Sequence, residues 1–344
     1  MTRVRTLAGQ LTFWLALALI PAAAGALVVG FVLESQPPAM PDEATSTGAT
    51  PTQISAAPPP TPPSTPRPTP HPAARSEAAS ATHDGRLHLF GGRGAGGQAL
   101  ASVVTFEGTT WTHLPPMPEA AFGAAAVALD DGTLLVFGGL DDDGDPTDST
   151  LILEPGGAEW STGPPMPHPQ AFPAVARVDG RVFLFGGSNH DYGDGVLVFD
   201  AGDETWSSAV PMPISVSHAA AAVVDGVVFL FGGRPREEAE PTPEVYRYDP
   251  DAMSWARVAD MPLTGNFQTA TVVDGLVWVI GGTAEPADRY PGVQSYDPAT
   301  DTWAVTSDRL VPGLSWHAAL ALRDGGIIVI AEGYGARTVS TAGQ

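Results

Sequence analysis

One phrase, written six times along the chain, limits what it can fold into. Its clearest form is Asp225-Gly226-Val227-Val228-Phe229-Leu230-Phe231-Gly232-Gly233. Asp-Gly tolerates the positive φ angles of a tight hairpin connection. The apolar run that follows is β-branched and aromatic with no polar alternation, which suits a strand buried on both faces. Paired glycines then stop it. The phrase returns as Asp84-Gly85…Gly91-Gly92, Asp131-Gly132…Gly138-Gly139, Asp179-Gly180…Gly186-Gly187 and Asp274-Gly275…Gly281-Gly282. A sixth, degenerate copy runs from Asp324-Gly325 to Gly333. The first glycines of the five full pairs are separated by 47, 48, 46 and 49 residues. A period near fifty means one supersecondary unit per repeat, stacked or closed into a ring.

A second phrase follows each glycine pair by about twenty residues. It reads Tyr296-Asp297-Pro298-Ala299-Thr300-Asp301-Thr302-Trp303 at its fullest, and Tyr248…Trp255 and Phe199…Trp206 keep the same step of seven. Trp111 and Trp160 hold the slot in the first two units. Each unit divides into four short strands, in the fourth unit Ala219–Val224, Val227–Phe231, Val245–Tyr248 and Ser254–Val258. Alanine-rich first strands fit the crowded hub of a ring, and the Trp and Tyr of later strands fill the widening wedge between neighbours. A four-stranded sheet repeated radially is a β-propeller. Asp-Gly, apolar strand, Gly-Gly, aromatic and then Trp resembles the kelch repeat, over about residues 72 to 344. The resemblance implies an all-β, six-bladed kelch-type propeller in which these glycines and tryptophans are structural. The last unit, from Trp316–Leu322, Ile327–Ile330 and Ala336–Thr341, has three strands at most, so its blade is expected to lack its outer strand.

Charge narrows the partners. Asp+Glu number 38 against 16 Lys+Arg, all of them Arg, for a net charge of −22. Such a surface repels phosphate backbones, which argues against nucleic acid. Cysteine is absent, so there is neither a disulfide framework nor thiol chemistry. Galactose oxidase has similar repeats, but its cofactor needs a Tyr joined to a Cys, which this chain lacks.

Upstream of the repeats, Arg3 and Arg5 precede Leu11–Leu33, a run without charge. It is long enough to span about 30 Å of hydrocarbon as a helix. The positive flank predicts a cytoplasmic N-terminus and an external propeller, with residues 1–34 as a signal-anchor. The competing expectation is a cleaved signal peptide with Ala22-Ala23-Ala24 at the cleavage site. Residues 35–71 read as a Pro/Thr/Ser-rich linker that favours extended, solvated conformations and holds the propeller off the membrane.

The connections after the glycine pairs are long and unequal: 93–99, 140–148, 188–195, 234–243 and 283–292. Strand direction puts them on one face with the recurring Pro-Met-Pro links, and long loops on a rigid scaffold carry function. Candidate binding residues on that face are Asn189, His190, Asp191, Tyr192, Arg234, Arg236, Tyr290, Trp316 and Tyr334. Asp141, Asp143, Asp145 and Asp148 resemble a calcium loop in their alternate carboxylates, though the spacing departs from the EF-hand. His218 and His317 each stand seven residues before an Asp-Gly turn. The equivalent slots hold Glu77, Ala124, Phe172 and Phe267, so a ring of metal ligands is not expected.

No nucleophile elbow, phosphate loop or specific metal spacing is present. The primary expectation is a binding module that takes a protein or glycan and needs no cofactor. The alternatives are a carbohydrate-active enzyme, since bacterial sialic-acid epimerases resemble this chain in architecture, and a surface adhesion or structural subunit. A carboxylate at the channel mouth with a shifted pKa beside an Arg would favour the enzyme.

Overall fold

A computed structural model describes residues 75–188, 193–235, 239–283, 292–306, 318–321, 326–331 and 335–339. All of them belong to the compact unit Thr61–Gln344. The expected anchor and linker, residues 1–34 and 35–71, lie outside the described residues. No helix occurs among the described residues, and none there is long and apolar enough to cross a membrane.

The chain begins with β1 (Arg75–Ser76), β2 (Ala79–His83), β3 (Arg86–Phe90), β4 (Arg93–Gly94), β5 (Val103–Glu107) and β6 (Thr110–Leu114). Strands β2-β3-β5-β6 form the first four-stranded antiparallel blade, and β1 pairs with β4 beside it. The second blade is β7 (Ala125–Ala128), β8 (Leu134–Phe137), β9 (Thr150–Leu153) and β10 (Ser161–Thr162). The third is β11 (Ala174–Val178), β12 (Arg181–Phe185), β13 (Val196–Asp200) and β14 (Thr205–Ser208). The fourth is β15 (Ala220–Val224), β16 (Val227–Phe231), β17 (Val245–Asp249) and β18 (Ser254–Val258). The fifth is β19 (Thr269–Val273), β20 (Leu276–Ile280), β21 (Val293–Asp297) and β22 (Thr302–Val305). Five four-stranded blades thus stand where six blades were expected. The remaining sheet, β23 (Ala318–Ala321), β24 (Ile327–Ala331) and β25 (Gly335–Val339), has three strands among the described residues. Each first strand meets the first strand of the next sheet, from β2 through β7, β11, β15 and β19 to β23.

The second strands are buried as their unbroken apolar runs require: β8 throughout, and β12, β16 and β20 after their first residue. Four hairpins place Asp84, Asp179, Asp225 and Asp274 at φ near +50°, each followed by a left-handed Gly. The second unit departs from the expected two-residue turn. Its Asp131 is not left-handed, and Leu129 N–H bonds Thr133 O across a longer loop.

Neighbouring blades are keyed together twice. The Trp of one blade packs edge-on against the Phe that ends the preceding blade's second strand, as in Trp160–Phe90, Trp206–Phe137, Trp255–Phe185 and Trp303–Phe231. Its indole N–H donates to a carbonyl in the link between them: Trp160 to Pro115 (2.9 Å), Trp206 to Pro164 (3.0 Å), Trp255 to Val210 (3.2 Å) and Trp303 to Ala259 (2.9 Å). The second key explains why Met recurs in the links. Met117, Met166, Met212 and Met261 are buried, and their terminal methyls press on the first glycine of the pairs at 91, 138, 186 and 232. The glycine is the socket and the methionine the plug.

Candidate functional site

Each first strand is preceded by one residue in the left-handed region: Glu77, Gly123, Phe172, His218 and Phe267, with φ between 53° and 65°. These five stand side by side about the axis, joined in series by backbone hydrogen bonds. Gly123 N–H donates to Glu77 O at 2.8 Å, Phe172 to Gly123 O at 2.6 Å, His218 to Phe172 O at 3.1 Å and Phe267 to His218 O at 3.2 Å. The longer hairpin of the second unit explains why the slot there is Gly123, and not Ala124 as seven-residue counting from Asp131 suggests.

These slots stand at one end of the central channel, a cavity of about 450 Å³ walled by the alanines of β2, β7, β11, β15 and β19. The long connections leave at this same end. Arg93, Leu140, Ser188, Arg234 and Thr283, the first residues of those connections, pair with Ser76, Phe122, Ala171, Ser217 and Asn266, which immediately precede the ring slots. At the opposite end Arg177 is paired with Asp130.

Three of the ring side chains make an aromatic arc over consecutive blades. Phe172 stacks on His218 at 4.2 Å between centroids, and His218 meets Phe267 edge-on at 4.3 Å. Phe172 also leans over Gly123, where any side chain would collide with its ring. His218 Nδ1 shares a 2.7 Å hydrogen bond with Ser217 Oγ. Burial, aided by the nearby Arg234 charge, lowers its pKa to about 3, so it is neutral at physiological pH. Arg234 in turn faces Asn266: with the amide nitrogen on Thr283 O (2.9 Å), the amide oxygen accepts from Arg234 Nε and Nη2 at 3.2 and 3.3 Å.

The other side of the mouth carries Glu77, which pairs with Arg93. Glu77 Oε2 lies 3.5 Å from Arg93 Nε, and the Glu77 side chain is only 15 % exposed. Both atoms are buried, and each has the other as its ion-pair partner. Burial raises the Glu77 pKa, with the Arg93 charge acting against it. The Arg93 guanidinium also sits 3.9 Å over the ring of Phe122.

Of the residues singled out from sequence, His218 lines this mouth and Arg234 is near enough for its charge to act on it. Asn189, His190, Asp191, Tyr192, Arg236, Tyr290, Trp316, His317 and Tyr334 lie outside the described residues. In the acidic loop Asp141 Oδ1 takes the amides of Asp143 and Asp145, both at 2.9 Å, and Asp142 Oδ1 takes that of Ala99 at 2.6 Å. Among the described residues no group of three or more His, Asp or Glu is arranged to hold a metal. Sequence reasoning missed the aromatic arc and the Glu77–Arg93 pair. The signal was the constant step of seven to the Asp-Gly turn, read there for metal ligands alone.

Radial four-stranded sheets with Asp-Gly turns, glycine pairs and stapling tryptophans define a kelch-type β-propeller. A family described as Attractin/LZTR1 beta-propeller matches residues 87–342. The chain belongs to that family. Among individual proteins it is similar to beta-scruin of Limulus polyphemus, 29% identical over 124 residues, covering 34% of this chain and 13% of that protein. It is also similar to Kelch-like protein 35 of Mus musculus (33% over 105 residues, 30% and 18%) and Kelch-like protein 34 of Homo sapiens (34% over 106 residues, 29% and 16%). The matched stretches are thus under a fifth of the relatives' own lengths.

Proposed function

We propose that the chain is a membrane-tethered binding module held outside the cytoplasm, and that its loop face recognises a protein partner. The observation that carries this reading is that the unequal connections and the ring of bulky slot residues share one end of the propeller. A stiff stack of blades beneath variable loops is suited to presenting a contact surface. The frame we propose is a six-bladed ring with β23–β25 as the incomplete sixth blade. Supporting it, Ala319, Ile327 and Val329 pack with Trp278 and Ile280 of the fifth blade, while Ala318 and Ile330 pack with Leu87 and Phe106 of the first. The tether rests on the uncharged run Leu11–Leu33 and its arginine flank.

Two measurements test the reading. A partner identified with the full chain is purified, and its affinity is compared for wild type and for a chain whose 140–148 and 234–243 loops are replaced by Gly-Ser. At least a tenfold loss is expected, and an unchanged affinity refutes the loop face. Alkaline extraction of membranes should retain the full chain and release one lacking residues 11–33. Release of both refutes the tether.

The enzyme reading has one observation in its favour, the Glu77 carboxyl raised by burial beside Arg93. Glycoside chemistry in most families uses two carboxylates, and Glu77 is the one carboxylate among the described residues lining the channel. Adhesion through an apolar patch draws little support: the large apolar side chains exposed among the described residues are Val210 in the link after the third blade, Met253 on the fourth blade and Val305 on the fifth.

A further inference from the structure

We infer that Thr69-Pro70-His71-Pro72, just upstream of the described residues, is the sixth link of the propeller. It docks at the seam between β23–β25 and the first blade, with the Trp111 indole donating to Thr69 O, and this rests on the six-bladed frame proposed above. Four links are built alike. In each, a buried Met stands six residues after the Trp of the blade it leaves and six before the left-handed slot of the blade it enters. The sets are Trp111, Met117 and Gly123; Trp160, Met166 and Phe172; Trp206, Met212 and His218; and Trp255, Met261 and Phe267. A proline follows every one of these methionines, at 118, 167, 213 and 262. The indole of the blade entered donates to the carbonyl two residues before the Met, at Pro115, Pro164, Val210 and Ala259.

The first blade is entered along the same path. Glu77 is its left-handed slot, and Ser76 pairs with Arg93 as Phe122, Ala171, Ser217 and Asn266 pair with the residues after the other glycine pairs. Six residues before Glu77 stands His71, with Pro72 after it and Thr69 two before it. Thr61–Gln344 is one compact unit, so this phrase belongs with the blades. Trp111 supplies a second, independent observation. It packs on the cluster that joins Ala318 and Ile330 to Leu87 and Phe106, the place its counterparts hold at the other seams. The ring is half-buried and has a partner beyond its contact with Phe106. An indole N–H at a packed wedge takes an acceptor, and the carbonyl in the matching position is that of Thr69. Residues 64–68 cannot copy the outer strands of the other blades. There the residue three after the Trp donates to the third strand: Gly163 to Thr150 O, Ala209 to Val196 O and Thr306 to Val293 O. The matching residue is Pro68, which has no N–H. The seam is thus clasped by a link alone, and the inferred tether is held from residue 69.

The test uses the full chain, isotope-labelled at its tryptophan indoles, and reads hydrogen exchange of the indole N–H groups. Trp111, assigned with Trp111→Phe, should exchange as slowly as Trp206 and Trp255, a comparison that stands even where a variant fails to fold. Replacing Thr69-Pro70-His71-Pro72 by Gly-Ser-Gly-Ser should speed Trp111 about tenfold, the loss of one hydrogen bond, and leave Trp206 and Trp255 unchanged. Fast exchange of Trp111 in the wild type, or exchange that the replacement leaves unaltered, overturns the inference. In urea, the replacement and Trp111→Phe should lower the midpoint by less together than the sum of their separate effects, whereas the replacement and Trp206→Phe should add. Additivity in both pairs overturns it as well. Nuclear Overhauser contacts between the Ile330 and Leu87 methyls report the frame by themselves. Present beside an unaltered Trp111, they leave the six-bladed ring standing and the clasp refuted; absent from the wild type, they overturn both.

Discussion

The glycine pair is the most exposed point of the argument, and the fourth blade offers an internal control. Gly226 and Gly232 end the two halves of one phrase, and both are left-handed, at φ 77° and 60°. A methyl on Gly226 meets nothing within 4 Å. One on Gly232 meets Met261 Cε at 2.7 Å, Gly265 O at 3.0 Å and Thr242 O at 3.2 Å. Gly226→Ala therefore carries the conformational penalty alone, about 1–2 kcal/mol. Gly232→Ala adds overpacking of roughly 1–3 kcal/mol, for a total of about 2–5 kcal/mol. The loss of unfolded-state freedom is common to both and cancels in the comparison. Met261→Ala removes a buried side chain and costs about 2–5 kcal/mol. In the double variant the new methyl enters space that the thioether has left, so the two losses should overlap by at least ~1 kcal/mol. Urea unfolding of the four variants, followed by tryptophan fluorescence, measures every leg of the cycle. Equal losses at Gly226 and Gly232, or strict additivity with Met261→Ala, would refute the plug-and-socket account.

Other expectations follow from the same geometry. Burial lowers His218 to about 3 and His88 to about 4, the latter helped by His83 and Arg86, from 6.5 when exposed. Their neutral forms are favoured in the fold, so this stability is fully present above about pH 6.5 and is lost as pH falls toward 3–4. Glu77, shifted the other way, favours the fold at lower pH and partly offsets the loss. His218→Phe, matching its ring neighbours Phe172 and Phe267, should move the acid-unfolding midpoint downward; an unmoved midpoint counts against a neutral buried imidazole. Trp206→Phe keeps the wedge but loses the 3.0 Å bond to Pro164 O, and should cost about 1 kcal/mol in urea unfolding. Arg75 is buried and donates to Gly91 O and Ser102 O, each at 2.9 Å. Arg75→Met should therefore cost roughly 1–3 kcal/mol by stranding the Gly91 carbonyl, while Ser102 O keeps the Gly91 N–H at 3.1 Å; a neutral melt would show the Arg75 bonds to be dispensable.

Much was legible before any coordinates. Hairpins, buried second strands and wedge tryptophans follow from local chemistry repeated at a fixed period, because Asp-Gly, an apolar run and Gly-Gly each impose a backbone shape on their own few residues. The fourth blade illustrates this: β16 and β18 fall on Val227–Phe231 and Ser254–Val258, as read from the repeat. Even so, the extra residue in the second hairpin displaced one slot, since a count along the chain cannot see which residue reaches αL. The partners of Met261, Glu77 and His218 were settled only by closure in space. Gly232 follows β16 and Met261 follows β18 of the same blade, and Glu77 stands far from Phe267 in sequence yet shares its mouth. Sequence by itself determined the blade, because a blade's contacts are local in the chain. Tertiary structure decided the mouth, because its walls come one residue at a time from separate blades, and only their packing about a common axis brings those residues within reach of one another.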